Sequence, residues 1–247
     1  MASTIETGHA KNTANFQDLI SFCTAYNNTY NPSNAAIKIT ALNTLLTSAK
    51  SSLTSLNSML PPWKIAVSDR EIAFDPLSKL ITRVINALDS SGVSSQIVAD
   101  AKTYARKIQG KRASKKLPTI ADDPATPANE SQKSISASQM SFDSRIENLD
   151  KLIQFLSAQP AYKPNETDIT ILALTALLAD LIAKNTAVIN ANAALSNSRI
   201  SRNEVLYAKI TGLVDVAGEV KKYVKSVFGA TSAQYKQISG LRFTSVN

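Results

Sequence analysis

A single cysteine among 247 residues rules out an intramolecular disulfide, so packing alone must hold the fold. Seven glycines and nine prolines are too few for the closely spaced turns of an all-β chain. With one histidine, the chain has no Glu-x-x-His pairs of the kind that metal-carrying helix bundles use. It also lacks the Gly-x-x-x-x-Gly-Lys-Ser/Thr loop that cradles nucleotide phosphates. The first twenty residues include Glu6, His9, Lys11 and Asp18 and no continuous apolar stretch of the signal-peptide kind. The expected location is therefore the cytoplasm, or outside the cell by a route without a classical signal peptide.

What the chain has is apolar residues at 44%, set among abundant Ser, Thr and Asn, and a segment that occurs twice. Phe16–Arg112 reads as a diverged copy of Leu149–Arg242. Leu19-Ile20-Ser21-Phe22 answers Leu152-Ile153-Gln154-Phe155, and Tyr30-Asn31-Pro32-Ser33 answers Tyr162-Lys163-Pro164-Asn165. Ala41-Leu42 answers Ala173-Leu174, Phe74 falls over Tyr207, and Ile108-Gln109-Gly110 answers Ile238-Ser239-Gly240. The expected fold is all-α, an internal duplication of an antiparallel four-helix unit forming elongated bundles. Residues 1–12 read as a flexible tail, 13–110 as the first helical repeat, 111–139 as a linker rich in Pro and charge, and 140–247 as the second repeat.

Within that frame, apolar residues at three- and four-residue steps predict helices near 13–27, from Ser33 to Leu60, and near 95–109 in the first repeat. In the second they predict helices near 140–158, 165–196, 201–228 and 231–239. Pro61-Pro62 is expected to end the long helix, because neither residue donates a backbone hydrogen bond. Ser68-x-x-Glu71 and Ser201-x-x-Glu204 have the form of capping boxes that open the next helix in each repeat. Pro76 should kink or restart the first of these, whereas Lys209 should let the second run straight. Leu42, Leu46, Leu53, Leu80, Ile81, Leu174, Leu178, Leu213 and Val220 are the expected core.

Gly8-His9-Ala10-Lys11-Asn12, Ala14-Asn15-Phe16 and Ser141-Phe142-Asp143-Ser144-Arg145-Ile146-Glu147-Asn148 resemble uncharacterised two-repeat helical proteins of Bacteroidota bacteria. The resemblance spans most of the chain. It implies the architecture and brings no activity or site residue with it.

Few side chains suggest chemistry. His9 sits in the expected tail without an acid cluster, and Cys23, aligned with Leu156, reads as a small core residue. Asp69 with Glu71 and Glu147 with Asp150 have the spacing of acid–base pairs, but carboxylates at a helix start also complement its exposed amides. Arg70, Arg199, Arg202 and Asn203 read as helix-end groups. Net charge is +8 and thinly spread: ten Lys/Arg against seven acids over 1–110, five against three over 111–139, and twelve against nine over 140–247. The exception is Arg106, Lys107, Lys111, Arg112, Lys115 and Lys116, a run of cations able to contact phosphates together. Only Tyr104 lies close to it, so stacking on bases is not expected. The apolar run Ile169–Ala179 reads as a bundle helix buried on most sides, interrupted by Asp180 and Lys184 before it reaches membrane-spanning length.

The sequence thus predicts a non-enzymatic structural or protein-interaction bundle with no cofactor and no metal. It is expected to assemble with itself or bind another protein through long helix faces. Sequence-nonspecific, electrostatic nucleic-acid binding through the basic cluster ranks second, and insertion of the apolar helix into a membrane third.

Overall fold

The structure is a computed structural model that describes residues 4–111 and 140–245, so most of the expected linker lies outside the described residues. The described residues are helical with no strand. Helix α1 spans Thr4–Ala25, α2 Ile39–Phe74, α3 Leu77–Asp89, α4 Ser95–Gln109, α5 Phe142–Ser157, α6 Ile171–Tyr207, α7 Leu213–Phe228 and α8 Ala233–Ser239. Short 3-10 turns at Ala35–Ile37 and Thr167–Ile169 precede the two long helices.

Pro61-Pro62 does not end α2, which runs on to Phe74. Two prolines deprive the carbonyls of Asn57 and Ser58 of their helical donors. All four residues are exposed, so water satisfies what the helix does not. Ser68 and Ser201 therefore open no helix: each lies inside a long one, and neither capping box forms. The break comes later in both repeats. After Phe74 it takes only Asp75-Pro76, with Pro76 at the N-cap of α3, where its fixed φ suits the start of a helix. After Tyr207 it takes Ala208–Gly212, so the expected straight run past Lys209 does not occur. Gly212 is required there, because a Cβ would stand 2.5 Å from the Ala208 amide nitrogen.

The chain forms two compact units, and neither coincides with a sequence repeat: one comprises 1–64 and 190–247, the other 65–189. The first unit takes α1 and most of α2 from repeat one, then the end of α6 with α7 and α8 from repeat two. Its core holds Phe16, Leu19, Cys23, Leu42 and Leu46 with Leu206, Leu213, Val220 and Val224. The second unit takes the end of α2 with α3 and α4 from repeat one, and α5 with the start of α6 from repeat two. Its core joins Phe74, Leu77, Ile81, Val84 and Leu88 to Leu149, Leu152, Leu156, Leu174 and Leu181. Accordingly α5 packs on α4, and α1 packs on α7 and α8.

Corresponding details recur in the two units. Tyr30 donates its hydroxyl to the Ile37 carbonyl at 2.6 Å, and Tyr162 donates to that of Ile169 at 2.7 Å, each pinning a 3-10 turn to the loop that leads into it. Leu77, Ile81, Val84 and Leu88 are buried at the same steps as Leu213, Ala217, Val220 and Val224. The longer break after Tyr207 thus moves the pairing of α3 with α7 by three residues from the alignment of Phe74 with Tyr207. Of the expected core, Leu53, Leu80 and Leu178 are half-buried and the others buried.

Candidate functional site

The basic cluster is only partly within the described residues. Arg106 and Lys107 form the last turn of α4, and Gly110 closes it at φ 68. The Lys111 amide returns to the Arg106 carbonyl at 2.9 Å, a C-terminal closure that needs the left-handed residue glycine tolerates. Arg106 also donates to the Thr103 hydroxyl at 3.2 Å. Cations at this end offset the partial negative charge of the helix dipole. Arg112, Lys115 and Lys116 lie outside the described residues.

His9, read from sequence as part of a loose tail, lies on α1 in the first unit and is 1% exposed. Its Nδ1 is 2.5 Å from the Tyr207 hydroxyl. Asn12, equally buried, donates to the Thr244 carbonyl at 2.8 Å and accepts from the Thr244 amide at 3.0 Å, and its amide lies 3.4 Å from the same Tyr207 hydroxyl. Burial raises the pKa of Tyr207, and the Asn12 bond and the Arg202 charge pull it back down. Arg202 is itself buried and donates from Nε and Nη2 to Asn203 Oδ1 at 3.2 and 3.0 Å. The clue in sequence was register: His9, Asn12 and Thr13 continue the Phe16-Leu19-Ile20-Cys23 stripe toward the N-terminus, with polar residues in place of apolar ones.

The second unit places different chemistry at corresponding positions. Phe142, seven residues before Leu149 as His9 is before Phe16, meets Phe74 edge to face at 4.8 Å between centroids. The Arg70 guanidinium lies 3.9 Å from the Phe142 centroid and that of Arg145 lies 5.1 Å from Phe74. Arg70 also donates to Asn185 at 3.0 Å, and Asn185 donates to Asp143 at 2.7 Å. Asp69 faces Lys184 at 3.3 Å, and Glu147 pairs with Lys151 at 2.6 Å, so the two suspected acid–base pairs each have a carboxylate engaged by a cation.

Cys23 is buried in the first core, and desolvation pushes its thiol up to about 12, which leaves no thiolate to act as a nucleophile. Among the described residues no group of three or more His, Cys, Asp or Glu could hold a metal ion. Each unit has an open cleft beside its 3-10 turn. That of the second unit, about 650 Å³, is flanked by Arg83, Lys163 and Glu166, and Arg83 is held in a two-point ion pair with Asp168. That of the first, about 530 Å³, is flanked by Asp215, Glu219 and Lys222. The cleft of the second unit is lined mainly by polar surface and that of the first mainly by apolar surface.

Helix α6 departs most from its sequence reading. Among the described residues it is the one helix long and apolar enough to cross a membrane by length and composition, yet only 22% of its most apolar eighteen-residue stretch is buried. It is not buried on most sides: Leu174, Leu181, Asn185 and Val188 face inward, while Leu172 is 83% and Ile189 55% exposed. No known protein family, curated protein or solved structure matches this chain.

Proposed function

We propose that this is a non-enzymatic interaction protein, built by duplication of a four-helix element, that works by presenting long helix faces to a protein partner. The observation that carries the reading is the mismatch on α6: an apolar helix whose apolarity its own core uses only along one stripe. Apolar surface left in water is the feature that marks an association surface. Electrostatic nucleic-acid binding ranks below this, because Arg106 and Lys107 already serve the end of α4 and the rest of the charge is dispersed.

The test is accessibility. A Thr186→Cys variant puts a thiol on the exposed face of α6, and the buried Cys23 is the internal control that stays unlabelled. Maleimide should label the new thiol quickly in dilute purified protein and slowly in a lysate of the native host. Equal rates in both would contradict the reading. Slowing by added anionic vesicles in place of lysate would move the surface to the membrane class.

A further inference from the structure

Beside the break that separates α2 from α3, the second unit has an open groove of about 450 Å³ lined mainly by apolar surface. Buried Leu77 forms its floor, half-buried Ala73, Leu80 and Leu177 its walls, and exposed Lys79 and Arg83 its rim. In the first unit the break between α6 and α7 is longer, and it holds Ile210 81% exposed at φ 72, a conformation that a β-branched residue adopts only under strain. The turn is firmly fixed: Asp215 holds the Ile210 amide at 2.8 Å, and the Gly212 amide reaches the Ala208 carbonyl at 2.8 Å. An isoleucine held in water by a strained, rigid turn does nothing for the core of its own unit. It is preorganised for a contact with something else.

We infer that Ile210 of one copy docks in the groove beside Pro76 of a second copy. Charge carries the choice of occupant. Because α3 and α7 bury apolar residues at the same steps, Lys79 and Arg83 on the groove correspond to Asp215 and Glu219 beside the isoleucine, with the signs reversed. Arg83 is paired with Asp168 and Glu219 with Lys222, which leaves Lys79 of the groove to meet Asp215 of the turn. Lys209, next to Ile210, likewise has Asp75, next to Pro76, to meet. The first unit's own cleft offers the turn of a second copy no such match, because Ile210 already edges it and Asp215 and Glu219 would face their own kind. The contact therefore joins unlike surfaces, turn to groove, and every copy carries both. Each surface lies within a single compact unit, and neither needs the exposed face of α6.

The experiment uses the full chain. Mass by light scattering should rise above that of one chain as concentration increases. Ile210→Gly keeps the left-handed turn and removes the docked side chain, so it should raise the concentration needed by about tenfold or more. Lys79→Glu and Glu219→Lys each set like charges across the contact and should each associate more weakly than the unaltered protein, whereas an equal mixture of the two should regain its association. On oxidation, Ile210→Cys mixed with Leu177→Cys should cross-link faster than Ile210→Cys alone. A mass of one chain at every concentration, or association that Ile210→Gly leaves unchanged, would overturn the inference.

Discussion

His9 and Tyr207 stand where the other unit has Phe142 and Phe74, and this exchange turns an aromatic contact into a buried polar one. The cost of burying His9 is offset by its contact at 2.5 Å with the half-buried Tyr207, whose hydroxyl Asn12 also approaches. Tyr207→Phe alone removes the hydroxyl beside a buried imidazole and should cost about 1–3 kcal/mol in chemical denaturation. His9→Phe combined with Tyr207→Phe recreates the pair the second unit uses and should recover most of that loss. Equal losses in the single and double variants would show that the two rings are not coupled.

A second residue carries strain without burial. Ile210 sits at φ 72, a left-handed conformation that costs a β-branched residue about 1–2 kcal/mol, and it is 81% exposed. Its amide is held by the Asp215 carboxylate at 2.8 Å, which fixes the turn before α7. Ile210→Gly should raise stability by about 1 kcal/mol, since no buried contact is lost. Lower stability in thermal unfolding would mean that the exposed side chain contributes to packing. The His9 contact was within reach of the sequence through its place on the core stripe, but polarity argued against it. Ile210 was not legible, because nothing local in a Lys-Ile-Thr-Gly stretch signals a positive φ at the isoleucine.

At the scale of elements, the helices themselves were legible and their ends were not. α4 and α5 start and stop close to where periodicity places them, and Ser94 and Ser141 cap them, each accepting from an amide three residues on. The long helices misled because local rules compete with packing. Pro61-Pro62 is a strong stop signal, yet α2 has Leu42, Leu46 and Ala49 in one core and Phe74 in the other, and burial at both ends outweighs two lost hydrogen bonds. Proline in a helix interior costs about 3 kcal/mol relative to alanine, so Pro61→Ala or Pro62→Ala should each stabilise the protein, by about 1–3 kcal/mol. A destabilised variant would show that the helix does not run through these residues.

At the scale of the molecule, the all-helical character was visible in sequence but the division into compact units was not. A repeat that packs on itself and one that exchanges halves with its twin show the same periodic stripes. Only partners far apart in sequence tell them apart: Phe16 with Val220, and Phe74 with Leu149. Because each core joins Leu-, Ile- and Val-bearing helices from both repeats, half of a core cannot bury its own apolar face.

The most direct measurement is therefore fragment complementation. Residues 1–111 and 140–247, expressed separately, should each lack a cooperative unfolding transition by circular dichroism, and mixing them at equal concentration should restore helix content and one. If either fragment alone unfolds cooperatively with full helix content, the repeats fold as independent bundles and the composite cores described above are wrong.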